Sequence, residues 1–157
     1  MISFMYWALF SYGLFCTSAV SFPTSSICSL QQQIILKYCE NVFKGLGVGH
    51  TEKVYHNALL IELQHNKIPY RSEVICPYFY RGKCAGHGTA DVVLFDTILE
   101  LKSSSVEPAM HASQLRKYVL SLRMHEKTQY NGMIINFNQK SGKIDHLFYT
   151  FNNTKLT

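Results

Sequence analysis

Between Gly88 and Ser103 the chain reads Gly-Thr-Ala-Asp-Val-Val-Leu-Phe-Asp-Thr-Ile-Leu-Glu-Leu-Lys-Ser. β-branched and apolar residues dominate, which predicts two strands, Thr89 to Phe95 and Ile98 to Lys102, joined by a tight turn at Asp96-Thr97. Only Asp91, Glu100 and Lys102 carry charge within the two strands. Side chains alternate faces along a strand, so Glu100 and Lys102 share one face. A two-residue loop at Asp96-Thr97 would pair Phe95 with Ile98, Val93 with Glu100 and Asp91 with Lys102. All three charges then converge, with Asp91 and Glu100 as diagonal neighbours roughly 7–8 Å apart. Asp-Thr is not a favoured hairpin dipeptide, and a longer loop would shift this pairing.

Two carboxylates and a lysine on one face of a buried strand pair are costly, because the like charges repel and burial penalises each of the three. A divalent cation resolves that conflict. Oxygen donors suit Mg²⁺ or Mn²⁺, which also bind substrate phosphates, and the lysine would hold a phosphate oxygen or a metal-bound water. The other reading is a solvated hairpin face with one Glu–Lys pair. The three residues by themselves leave both open.

Upstream, residues 1–29 contain no Lys, Arg, Asp or Glu, and the first charged side chain is Lys37. Phe4 to Phe22 is largely apolar, and Ala19-Val20-Ser21 resembles a small-x-small cleavage site, although the usual basic residues before such a core are missing. A processed or dispensable leader, or a membrane anchor, would both fit. The net charge of +5 is compatible with a polyanionic partner. Cys16, Cys28, Cys39, Cys76 and Cys84 show no CxxC spacing, which argues against a zinc cluster. The four beyond the leader could pair in a secreted protein and would stay reduced in a cytosolic one. Asn152-Asn153-Thr154 is a glycosylation sequon.

Helical spacing of Ile34, Ile35, Tyr38, Val42, Phe43 and Leu46 predicts a helix over 30–47, broken by Gly47 and Gly49. A second helix is expected from an N-cap at Thr51 to about Asn66, with Glu52 in its first turn. Tyr55 lies on its core side. Ile68 to Tyr80 reads as an edge strand because of Pro69 and Pro77, followed by a turn at Arg81-Gly82-Lys83. Gly86 and Gly88 suggest a bulge or a close backbone approach before Asp91. His87 there reads as an exposed loop residue. A third helix is expected from Pro108 to about Met124, with Gln114 and Tyr118 four apart on one flank. Strands at 131–137 and 144–151 complete the domain.

These residues, taken in order, resemble a known superfamily. Asp91, then Glu100-Leu-Lys102, then Gln114-x-x-x-Tyr118 is similar to the PD-(D/E)XK nucleases, in their RecB-like branch. Gly49-His-Thr-Glu52-Lys-Val-Tyr55 resembles the GxxExxY signature of one family within it. Leu46-Gly47-Val48-Gly49 resembles that family's LGPG stretch, with Val48 in place of proline, and Ile135-Asn136-Phe137-Asn138 resembles its INFG motif, with Asn138 in place of glycine. The likeness runs from about Leu30 to Phe151.

The resemblance implies an α/β restriction-endonuclease-like fold, a central mixed sheet flanked by helices, over 30–157. It implies Mg²⁺, or Mn²⁺, held by Asp91, Glu100 and the Leu101 carbonyl, with Glu52 as a further acidic ligand or orienting group. Lys102 would orient the attacking water, and Gln114, Tyr118 and Tyr55 would line the site. The expected activity is phosphodiester hydrolysis in nucleic acid, DNA foremost. A homodimer stays open, and a membrane partner follows only from an uncleaved anchor. A silent nucleic-acid- or protein-binding module on the same fold is the alternative. The domain implies an intracellular protein, in cytoplasm or nucleus, against which the leader argues.

Overall fold

In the computed structural model, residues 24–150 are described. Residues 1–23 of the leader with its cleavage-like triplet and Cys16, together with Phe151 and the sequon at 152–154, lie outside them. Helix α1 spans Thr24–Leu46 and α2 spans Glu52–His65. Strands β1 (Tyr70–Tyr80), β2 (Lys83–Leu94) and β3 (Thr97–Lys102) follow. A 3-10 turn at Pro108–His111 leads into α3 (Ala112–Glu126), then β4 (Asn131–Phe137) and β5 (Ile144–Tyr149). The first helix therefore starts six residues before the sequence-based limit of Leu30. Among the described residues, no helix is long and apolar enough to cross a membrane.

The five strands form one sheet in chain order. Only the β3–β4 pairing is parallel, because α3 supplies the crossover that a parallel pair requires. Both outer strands, β1 and β5, are edges, as Pro69 and Pro77 predicted for β1.

Alternation along the strands sends apolar residues to both faces. On one face Val92, Leu94, Leu99, Leu101, Met133 and Ile135 meet Ile35, Cys39 and Phe43 of α1 and Tyr55, Leu59 and Leu63 of α2. On the other, Val93, Ile98 and Ile134 meet Leu115, Val119 and Leu122 of α3. Cys39, Cys76 and Cys84 are free thiols, the first two buried, so no disulfide joins them.

The β2–β3 hairpin differs from the expected register. Leu94 pairs with Thr97, Val93 with Ile98 and Val92 with Leu99, so the turn residues are Phe95 and Asp96. Phe95 takes the positive φ (57°) that this tight turn needs, and Thr97 joins the strand. The register has slipped by two from the expected one. Because strand faces alternate with period two, the slip changes partners and keeps faces. Extended by one step, it sets Asp91 opposite Glu100 in place of Lys102.

Asp91 also sits where β2 changes direction. The β1–β2 ladder pairs Ser72 with Val92 and Val74 with Ala90 but skips Glu73 and Asp91, Glu73 has φ of 51°, and a second irregularity falls between Tyr78 and Phe79. Val74 and Ala90 pack in the α3 layer, and so does Val93. Alternation is therefore broken between Ala90 and Val93. Past this kink β2 no longer pairs with β3.

Candidate active site

The gap where β2 leaves β3 is closed by a side chain. Asp91 Oδ2 accepts the Leu101 backbone N–H at 2.7 Å, replacing the ladder bond that β2 has given up. Asp91 is thereby fixed beside β3 at the level of Glu100 and Lys102. His56 of α2 steadies it from the helical side, its Nε2 donating to the Asp91 carbonyl at 3.2 Å. A carbonyl only accepts, so the hydrogen resides on Nε2, and the buried Nδ1 has no partner. No sequence signal separated His56 from an ordinary core histidine.

Glu100 is buried, 1% exposed, at the centre of the sheet. Its Oε1 meets Lys102 Nζ at 2.7 Å, and its Oε2 has no hydrogen-bond partner. Burial, with the neighbouring Asp91 charge, pushes its carboxyl up to about 7 against the pull of Lys102. Burial by itself would lower Lys102, but Glu100, Glu52 and Asp91 together raise it, so it keeps its proton.

Glu52 is the first residue of α2, and its Oε1 lies 3.5 Å from Lys102 Nζ. It is brought there by the loop before the helix. Gly47 and Gly49 take φ of 72° and 96°, which favour glycine, and so turn the chain from α1 to α2. Gly49 N–H donates to Gln139 Oε1 at 2.6 Å, and Ser103 Oγ donates to the His50 carbonyl at 2.9 Å. The start of α2 is thus tied to the ends of β3 and β4. Thr51 occupies the N-cap position, yet its side chain makes no cap bond.

Lys102 therefore bridges an exposed glutamate and a buried one. Among the described residues, no three carboxylate, imidazole or thiolate side chains gather around a common point. Glu52 reaches the Asp91–Glu100 pair through Lys102.

On the α3 side, Gln114 Nε2 donates to Tyr118 Oη at 2.9 Å, as their four-residue spacing predicted. Burial raises the Tyr118 phenol, Gln114 offsets part of this, and the Glu100 and Asp91 charges add to it. Gly88 makes room for the Tyr78 and Tyr118 rings. A Cβ there would lie 2.3 Å from Tyr78 Oη and 2.4 Å from Tyr118 Cε1.

Tyr55 is placed differently from the expectation that it lines the site. It is fully buried and stacks on Phe137 with ring centroids 4.4 Å apart. Its hydroxyl donates to the Gly47 carbonyl at 2.7 Å and accepts from Gln139 Nε2 at 3.2 Å. It anchors the glycine loop from inside the core. Asn136, 0% exposed, does likewise for the segment after Lys102: its Oδ1 accepts Ser104 N–H at 3.0 Å, and its Nδ2 donates to the Ser104 and Val106 carbonyls. Of the basic residues, Arg81 and Lys83 flank the β1–β2 turn, whereas Arg116 and Lys117 line a groove of about 510 Å³ with Leu120 and Tyr149. Arg123 bonds Gln129.

A mixed sheet covered on both faces by helices, with an acid pair and a lysine where two central strands part, defines an α/β domain with its candidate site at the edge of that gap. A family model of the PD-(D/E)XK nuclease superfamily matches residues 29–146, and the chain belongs to that superfamily. The five-stranded mixed sheet with its three helices has the restriction-endonuclease-like α/β fold. The crystal structure of SSO0001 is similar over 62% of this chain and 48% of its own, at 17% identity and a TM-score of 0.41. The chain thus spans about half the length of that structure. No curated protein matches.

Proposed function

We propose that this chain is a metal-dependent nuclease that hydrolyses phosphodiester bonds in DNA, in repair, recombination or defence. Within the superfamily we assign it to the RecB-like GxxExxY family, on Gly49, Glu52 and Tyr55. The observation that carries the activity is Glu100. A fully buried carboxylate with one oxygen unpartnered, beside a second carboxylate, is costly unless something positive completes it.

The donors present fit Mg²⁺ or Mn²⁺. Glu100 and Asp91 offer carboxylate oxygens, and Leu101 offers its carbonyl. A strand residue's N–H and C=O point to the same neighbour, so this carbonyl faces the gap in which Asp91 accepts the N–H. Such an ion supplies Lewis-acid stabilisation of the phosphate and a more acidic water. Lys102, protonated and held between two glutamates, is suited to orient a water or a phosphate oxygen. Glu52 aims the ammonium from the open side. Gln114 and Tyr118 offer neutral hydrogen-bonding groups at the α3 wall.

One observation favours a silent module. Lys102 pairs with both glutamates and so gives them a structural use. The two readings part on a simple assay. The full chain is incubated with plasmid and single-stranded DNA in Mg²⁺, Mn²⁺ or EDTA, beside Asp91→Ala and Lys102→Ala. Cutting that needs metal and disappears in both variants is expected. A folded protein that neither cuts nor binds metal would remove the enzyme and leave the fold.

A further inference from the structure

The β1–β2 ribbon is longer than the sheet it belongs to. β1 pairs with β2 from Tyr70 to Tyr80, but β2 pairs with β3 only through Val92 to Leu94. Beyond the kink at Asp91 the two strands continue as an arm whose base leans on α3. There Ser121 Oγ donates to the Pro77 carbonyl at 2.7 Å, and Tyr78 and Tyr118 meet over Gly88. The tip is open to solvent. Phe79 is 53% and Tyr80 67% exposed, and Arg81, Lys83 and His87 are exposed beside them.

Three features of the arm point to one partner. From Val74 to Ala90 the sequence has two cations and no Asp or Glu, and the next residue is Asp91. Tyr80 at the tip follows Tyr78 by two residues, across a register irregularity between Tyr78 and Phe79, and Tyr78 in turn meets Tyr118 over Gly88. Finally, the Arg81 guanidinium lies over the Tyr80 ring at 5.6 Å from its centroid, and both residues are exposed. Exposed aromatics beside basic groups are how proteins hold unpaired nucleic-acid strands, the rings stacking on bases and the cations meeting phosphates.

We infer that the β1–β2 arm, through Phe79, Tyr80, Arg81 and Lys83, binds a single-stranded segment of nucleic acid and leads it along Tyr78 and Tyr118 to the acid cluster. The role of the cluster rests on the nuclease reading above; the binding by the arm does not. A duplex is a poorer fit because its bases are stacked on one another and leave no free face for the rings.

The test measures binding by the full chain in EDTA, where no cutting occurs. Fluorescein-labelled oligo(dT), oligo(dU), oligo(U) and a duplex of the same length are titrated and followed by anisotropy. Single strands are expected to bind more tightly than duplex, and oligo(dU) beside oligo(U), which differ only at the 2′ position, assigns the sugar. Tyr80→Ala should weaken single-strand binding about tenfold, and Arg81→Ala with Lys83→Ala should flatten its salt dependence by roughly the slope of two phosphate contacts. These side chains are exposed, so unchanged thermal melting shows that the fold survives. Equal affinity of wild type and both variants, no single-strand binding, or tighter duplex binding that the variants leave intact, would each overturn the inference. Arm-dependent binding by a wild-type protein that never cuts in Mg²⁺ or Mn²⁺ would refute the nuclease reading and leave the arm's role standing.

Discussion

Glu100→Gln should make the protein more stable above neutral pH while abolishing any metal response. The Glu100 carboxyl moves from 4.5 in an unfolded chain to about 7 in the fold, through burial and the Asp91 charge. Between those values the folded state holds more protons than the unfolded one, so stability falls as pH rises. The penalty is absent below about pH 4.5 and complete above about pH 7. At about 1.4 kcal/mol for each tenfold change in proton affinity, that rise sets a ceiling of about 3.5 kcal/mol. Glutamine keeps the shape and the acceptor for Lys102 without the charge. The assay is urea unfolding of wild type and Glu100→Gln in EDTA from pH 4.5 to 8. The difference between the two curves isolates Glu100 from the other titrating groups, and it should grow in favour of the variant across that window. A cation competes with the proton, so Mg²⁺ or Mn²⁺ should raise the wild-type melting temperature more at pH 8 than at pH 5.5 and leave Glu100→Gln unmoved. A difference curve that is flat from pH 4.5 to 8 would refute the argument that this carboxylate is buried against its charge.

Two further substitutions probe the frame. Gly88→Ala places a methyl group within 2.4 Å of Tyr118 Cε1 and 2.3 Å of Tyr78 Oη, so both rings must move; a loss of about 1–3 kcal/mol in urea unfolding is expected, together with loss of cutting. Lys127 ends α3 at φ 54°, a conformation that suits glycine. Lys127→Gly should therefore stabilise the protein by up to about 1 kcal/mol without changing activity, read as a higher denaturation midpoint at constant slope.

The order of elements was legible because the core residues repeat at the spacing of helix or strand. Ile35, Val42 and Phe43 mark α1 and the run Met133 to Phe137 marks β4, and each is buried where its period placed it. Limits were harder to read. The third helix was expected from Pro108, yet its first turn is 3-10 in form and the α-helix begins at Ala112.

Within the site, the sequence by itself determined that Glu100 and Lys102 share a face, since alternation along one strand needs no partner. It also determined that Gln114 and Tyr118 meet, since four residues make about one helical turn. Only the tertiary structure decided what depends on contacts between elements. The hairpin register slipped by two, because the turn formed at Phe95-Asp96, and the even size of that slip kept the charges together. The kink at Asp91, which parts β2 from β3 and turns its carboxylate onto Leu101, involves Glu73 on another strand. Helical spacing already put Tyr55 on the core side of α2, and the tertiary structure decided what it meets there, Phe137 and the Gly47 carbonyl. Local periodicity encodes which way a side chain points from its own backbone. Which groups it meets is set by the packing of elements far apart in the chain, and no single segment carries that information.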